Sequence, residues 1–238
     1  MKKTFYIPTG LMIFAGLLML SCGRHADQLL PQQTNLSTSS SVQLFNAIVG
    51  SNRNFLYVDG QKISGAAMAY GSSFPLVNSN FAVPYGKRSF IIKDTLPATT
   101  QVPLNFVADL GLREKYTIFA YDTITAPKYK IVKNDIVIPY DTTARIRFAN
   151  FLRSNPSIPA VDFYSVKRGA NVASGVTPTS VTTFMPYASL SNDTIIVRLA
   201  GSNGIIAQVN GMSLTEKRSY TMVVRGGNTR SVSFFPND

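Results

Sequence analysis

The sequence predicts an all-β chain: two tandem immunoglobulin-like antiparallel β-sandwiches after an export signal and a flexible tether. Three observations carry this expectation. Apolar and polar residues alternate with period two over several short runs, turn-forming clusters separate the runs, and short motifs recur about 104 residues apart. The composition agrees. Of 238 residues, 45% are hydrophobic and only 15% charged. That is too apolar for a disordered chain, and no run reaches the roughly 18 apolar residues of a membrane span.

The first element is an address. Lys2 and Lys3 precede a ten-residue apolar stretch at 11–20 (LMIFAGLLML), and Ser21-Cys22-Gly23 follows. A basic start, a short apolar stretch and a small residue before the cut describe a secretory signal peptide. A Cys sits where cleavage is expected. This resembles the bacterial lipoprotein signal, which implies that residues 1–21 are removed and that Cys22 is acylated. Loss of Lys2 and Lys3 then lowers the net charge from +11 to +9. With its one Cys in a thioether the chain has no disulfide, although the compartment is oxidising. Two or three acyl chains make such an anchor stable where one is marginal.

Residues 22–41 are rich in Gln, Ser, Thr and Asn and read as a flexible tether. His25, the only His, belongs to that tether and not to a catalytic site.

The repeat begins after it. Val42-Gln43-Leu44-Phe45-Asn46 matches Ile146-Arg147-Phe148-Ala149-Asn150 at an offset of 104, and Tyr116-Thr117 matches Tyr220-Thr221 at the same offset. Pro84-Tyr85 and Pro186-Tyr187 lie 102 apart. Three anchors in one order indicate duplication. The expected units are residues 42–140 and 141–238, each near the size of an immunoglobulin domain, with about seven short strands apiece.

Within the runs, Ile146 and Phe148 face one way and Arg145, Arg147 and Ala149 the other. Ile195, Val197 and Leu199 alternate with Thr194, Ile196 and Arg198. Tyr220, Met222 and Val224 alternate with Ser219, Thr221 and Arg225. Such alternation predicts one buried and one wet face per strand. Turn clusters such as Asp59-Gly60, Tyr85-Gly86 and Gly226-Gly227-Asn228 punctuate the runs.

These motifs carry a family resemblance. The second copy holds Phe148-Ala149-Asn150, Pro159-Ala160-Val161-Asp162-Phe163-Tyr164, Ser174-Gly175-Val176 and Tyr220-Thr221. The first holds Tyr57-Val58-Asp59-Gly60, Ser64-Gly65, Val83-Pro84-Tyr85-Gly86 and Tyr116-Thr117. Together they resemble the bacterial domain of unknown function DUF4397, found in envelope proteins. The resemblance spans nearly all of 41–238 and implies fold and location, with no chemistry to carry over. The second copy lacks the Gly after its Pro-Tyr, and the first lacks the Pro-rich lead-in.

The candidate sites have structural explanations. Asp59 and Asp162 each follow an apolar residue in corresponding strands and are expected to accept backbone N–H groups. Tyr116 and Tyr220 occupy the place of a tyrosine corner, with the ring buried and the hydroxyl on backbone. Tyr70, Phe74, Phe81 and Tyr85 crowd one stretch; exposed, they would stack on sugars, but core filling is the expected role. One His, one Cys and twelve acids leave no Cys–His pair and no metal cluster, so no cofactor, metal or catalytic residue is assigned. No P-loop, G-x-S-x-G or G-x-G-x-x-G occurs, and no spacing points to a Ser–Lys pair.

The charge is spread: residues 42–140 hold ten basic and six acidic residues, and 141–238 hold ten and five. A nucleic-acid partner needs a coherent basic face, so none is expected. Expected partners are the membrane, through the N-terminal lipid, and an envelope polysaccharide or another envelope protein. Oligomeric state is unassigned.

The functional expectation is a lipid-anchored protein of a Gram-negative cell envelope, at the outer membrane on its periplasmic or outer surface. It acts there as a non-catalytic structural, scaffold or adhesion module. The alternative is a glycan-binding accessory lipoprotein, and a third reading is an enzyme with an unusual site. A modification is also expected. Asp-Thr followed by an apolar residue or Thr places Thr95, Thr123, Thr142 and Thr194 in a pattern that resembles an O-glycosylation sequon of exported bacterial proteins. Thr123 and Thr142, beside predicted turns, are the expected accessible pair, and Thr194 the least.

Overall fold

The computed structural model describes residues 36–76, 80–153 and 158–237. The expected signal peptide, Cys22 and His25 lie outside them. Among the described residues there are strands, turns and one short 3-10 turn at Leu36–Thr38, and no α-helix. No helix there is long and apolar enough to cross a membrane.

The strands in chain order are β1 Ser39–Val49, β2 Phe55–Val58, β3 Gln61–Lys62, β4 Ser73–Phe74, β5 Phe81–Pro84, β6 Gly86–Lys93, β7 Leu104–Leu110, β8 Lys115–Thr123 and β9 Ala126–Lys133 in the first half. The second half has β10 Ala144–Leu152, β11 Val161–Ser165, β12 Ala170–Val176, β13 Met185–Tyr187, β14 Asp193–Leu199, β15 Ile205–Met212, β16 Ser219–Gly226 and β17 Arg230–Pro236.

Each half contains two sheets. In the first they run β4-β1-β8-β9, with β5 also on β1, and β3-β2-β6-β7. In the second they run β13-β10-β16-β17 and β12-β11-β14-β15. All pairings are antiparallel except β1 with β8 and β10 with β16, which are parallel. The parallel registers repeat at the offset read from sequence, Val42 opposite Tyr116 and Ile146 opposite Tyr220. An immunoglobulin constant domain groups its strands ABED and CFG. Lettered A to H, the second half groups them D-A-G-H and C-B-E-F. A parallel pair cannot be closed by a hairpin; here the chain visits the opposite sheet between the two partners.

Each half has its own core between its sheets. Leu44, Leu56, Phe90, Phe106 and Ile118 belong to the first, and Phe148, Phe163, Val197, Leu214 and Met222 to the second. A third cluster joins the halves. Phe45, Ala47 and Phe119 pack with Ala149, Phe151, Val223 and Phe235, all buried. Phe45 stacks on Phe235 at 5.1 Å, and Phe119 on Phe151 at 4.8 Å between centroids. Burying a Phe side chain is worth about 1.5–3 kcal/mol, so these four rings are a substantial tie between the halves.

That packing corrects the expected wet faces. Arg147 is 1% exposed, and Ala149, Ser219 and Thr221 are buried too. The sheet surface that alternation assigned to water is covered by the first half. The inner strands of the two central sheets, β1 and β8, β10 and β16, are almost continuously buried, whereas β14 keeps the expected alternation and β7 shows the same pattern, because their outer face meets solvent.

The expected tether also ends earlier. Ser39, Ser40 and Ser41 are the first residues of β1, paired with Pro84, Val83 and Ala82. A Ser-rich stretch reads as linker, but here the ladder uses its backbone and the Ser40 hydroxyl donates to Gly111 O at 2.6 Å. The Pro-Tyr anchors are not equivalent. Val83 pairs with Ser40 as Tyr187 pairs with Ala144, so Tyr187 is buried where Tyr85 is 51% exposed.

Candidate functional site

The polar residues singled out by sequence close on the protein itself. The Tyr116 hydroxyl accepts from Gly111 N at 2.9 Å and donates to the Glu114 carboxylate. The Tyr220 hydroxyl accepts from Thr215 N at 3.1 Å. Both contacts reach backbone five residues upstream, the geometry of a tyrosine corner. Burial and the Glu114 contact raise the Tyr116 pKa, while hydrogen bonds from Lys133 and Tyr116 hold Glu114 below its ordinary range.

Asp59 and Asp162 do accept backbone N–H groups. Asp59 takes Ser89 N at 2.9 Å and pairs with Arg88 at 3.1 Å. Asp162 takes Gly175 N at 2.7 Å and Gly201 N at 3.1 Å. Asp59 lies just past the end of β2, whereas Asp162 lies near the start of β11, so they brace opposite ends of corresponding strands. The repeated Asn46 and Asn150 do share one role. Each side-chain oxygen accepts the N–H two residues on, from Ile48 at 3.2 Å and Leu152 at 3.1 Å, and each amide nitrogen donates to backbone carbonyls, of Met68 and Ala69 for Asn46 and of Val176 at the end of β12 for Asn150.

The aromatic stretch divides. Phe74 and Phe81 pack on the first core, 5.5 Å apart, and Tyr85 is exposed. Tyr70 instead faces the second half, with the Arg225 guanidinium 4.2 Å from its ring centroid. Phe90, Phe106 and Tyr129 form a three-ring stack, but Phe90 and Phe106 are buried and only Tyr129 meets solvent. That is a core column, not a sugar platform.

The expected modification residues are scattered. Thr95 and Thr142 are exposed in turns, where Asp94 Oδ1 accepts Leu96 N and Asp141 Oδ1 accepts Thr143 N, both at 2.9 Å. Thr194 is half-buried in β14. Thr123 is half-buried at the end of β8, beside an Asp122 paired with Lys128 at 2.9 Å and Arg153 at 2.8 Å. Thr95, not Thr123, joins Thr142 as the accessible pair, because Thr123 remains in the β8–β9 ladder.

Sequence reasoning passed over a buried polar centre between the halves. Arg147 donates through Nε to Thr221 Oγ1 at 2.8 Å and through Nη2 to Thr117 Oγ1 at 2.9 Å. Its guanidinium lies 4.6 Å from the Phe184 ring centroid. Asn237 extends the network: it accepts from Thr221 at 2.6 Å and donates to Gln43 at 3.0 Å. Burial pushes the Arg147 pKa down to about 9. The signal was present, an Arg within a largely apolar strand at the position that aligns with Gln43, but the sequence has no second layer to show that the face is covered.

A cleft of about 330 Å³ opens at one end of the second half, lined by Lys167, Arg168, Tyr187, Ser189, Ser191 and Asp193 among others. Asp193 is 2% exposed and accepts from the Ser165 and Tyr187 hydroxyls and from Lys167 N and Thr194 N. Burial raises its pKa, but those four hydrogen bonds outweigh burial and hold it below the ordinary range. The Tyr187 phenol is pushed up by burial and by Asp193. No group of three His, Cys, Asp or Glu that could hold a metal occurs among the described residues.

The family model described as "Domain of unknown function (DUF4397)" matches residues 40–164, from β1 into β11. No curated protein matches the chain. Two solved structures show a remote likeness. One is a carbohydrate-binding module of family CBM26 from Eubacterium rectale in complex with maltoheptaose, at 10% identity, TM-score 0.28, covering 82% of this chain and 96% of that one. The other is a protein provisionally described as a cell adhesion protein from Bacteroides uniformis, at 9% identity, TM-score 0.23, covering 86% and 100%. Scores this low carry no argument about fold or ligand.

Proposed function

The chain belongs to the DUF4397 family, and from that premise we propose that it is a lipid-anchored, non-catalytic module of the bacterial cell envelope, a rigid spacer or adhesion element. The anchor is the lipid on Cys22, and the place is the outer membrane of a Gram-negative cell. One observation supports the rigid role above others: the halves are tied by a third apolar cluster and by the Arg147–Thr117–Asn237 network. An element that transmits position needs such a joint, because packed interiors resist deformation.

The lysines do not favour a catalytic reading. Lys128 and Lys133 are exposed and their pKa values are raised by Asp122 and Glu114. That keeps the amines protonated, whereas a nucleophilic or basic Lys is tuned downward. A glycan-binding role is favoured by one feature, the cleft beside Arg168.

Membrane fractionation tests the anchor. Cys22→Ser should leave the protein uncleaved or soluble, and the wild type should stay with membranes through a high-salt wash. A Cys22→Ser protein cleaved to its mature size and still held by membranes after that wash overturns the lipid assignment.

A further inference from the structure

The cleft in the second half is where the duplication is broken. Ser165 pairs with Ile195 as the last pair of β11 and β14, and Val58 pairs with Phe90 as the last pair of β2 and β6. Ser165 therefore stands where the first half has Val58, and Tyr187 where it has Val83. Both valines are core residues. The second half has put two hydroxyls at these positions and aimed both at a buried carboxylate. Exchanging apolar packing for a buried polar cluster is unfavourable unless every group is satisfied. Here the Asp193 oxygens are fully engaged: Oδ2 by Ser165 and Tyr187, Oδ1 by Lys167 N and Thr194 N. The carboxylate fixes the turn that carries Lys167 and Arg168 and has no free face for a ligand.

The walls do have free capacity. Lys167 Nζ uses one donor on Ser191 O at 2.6 Å. The Arg168 guanidinium lies 4.8 Å from the Tyr187 ring centroid. Neither cation is ion-paired with a carboxylate among the described residues. Ser191, 9% exposed and also lining the cleft, has a buried hydroxyl with no hydrogen-bond partner. Two cations and an unsatisfied hydroxyl around one concavity, held by a satisfied buried scaffold, are the parts of an oxyanion receptor.

We propose that this cleft binds the carboxylate or phosphate group of an anionic polymer, with Arg168 and Lys167 supplying charge and Ser191 Oγ a hydrogen bond. The group is compact, as the 330 Å³ volume requires. In the envelope the two sources are uronic-acid sugars and phosphorylated polymers. The assignment is independent of the Cys22 anchor, and either can fail without the other.

Calorimetric titration of the detergent-solubilised full chain distinguishes the outcomes. The probes are a galacturonate oligomer, inorganic phosphate and neutral maltoheptaose. The galacturonate oligomer or phosphate should bind at least tenfold more weakly to Lys167→Gln/Arg168→Gln, and severalfold more weakly to Ser191→Ala. Maltoheptaose should not compete. Preference for one anion over the other names the source. Lys62→Gln/Lys93→Gln removes the same charge from the first half and should leave binding unchanged. Equal losses in that control overturn the site, as does the absence of measurable binding by either anion to a wild-type chain with a normal melt. Comparable melting temperatures of all variants show that loss of binding is not loss of fold.

Discussion

Arg147 of the second half donates to Thr117 Oγ1 of the first at 2.9 Å, with the guanidinium fully enclosed between the two central sheets. No carboxylate among the described residues forms an ion pair with it; Asp135 favours its charge from a distance, and the neutral hydroxyls and aromatic faces around it bear most of the remaining cost. Arg147→Met, which keeps the shape and removes the charge, should change stability by less than about 1 kcal/mol or raise it. Thr117→Val should cost about 1.5–3 kcal/mol by removing an acceptor from a charged donor. The double variant should recover most of that loss. Chemical denaturation of the four proteins measures the cycle; a Thr117→Val cost that persists in the Arg147→Met background would place the penalty elsewhere.

Each half has a complete core, so residues 36–140 and 141–238 expressed separately should each melt cooperatively. Each also lays bare two of the rings Phe45, Phe119, Phe151 and Phe235. The separate halves should therefore be less stable than the whole and should recombine when mixed. Sedimentation of the mixture checks recombination, and a half without a cooperative melt would show that its core depends on the joint.

Tyr220→Ala should cost about 3–5 kcal/mol because the ring belongs to the second core. Tyr220→Phe keeps the ring and loses only the bond from Thr215 N, so about 1–2 kcal/mol is expected. Equal, negligible losses in a denaturant titration would contradict the buried corner.

Asp193 has a carboxyl pKa held below its unfolded value. Such a group binds protons less tightly folded than unfolded, so its stabilisation is present above the unfolded pKa, near 4, and disappears as pH falls through the lower folded value. Asp193→Asn should be less stable than wild type at neutral pH, with the gap narrowing below about pH 4. Melting temperatures across pH 2–7 read this directly; a constant gap would mean that the carboxylate charge contributes nothing.

If the native host modifies Asp-Thr sites on folded exported proteins, Thr95 and Thr142 should carry the added mass, and Thr123 and Thr194, half-buried in strands, should carry little. Peptide masses of protein purified from that host decide it, and unmodified Thr95 and Thr142 peptides end the expectation.

Features set by local chemistry and by repetition were legible in the chain before it was folded. Alternation identified β14, and the 104-residue offset is the same offset at which Tyr116 and Tyr220 pair with Val42 and Ile146. The tyrosine corners and the backbone bonds of Asp59 and Asp162 were legible because each is set within its own sheet or the turn beside it. Tertiary structure alone decided the rest. Alternation encodes one layer of burial, so Arg147 and Thr221 read as wet until a second pair of sheets covered them. The cleft was also invisible, because Ser165, Tyr187 and Asp193 come from three separate strands. Their polarity has meaning only when those strands converge and a carboxylate loses its water.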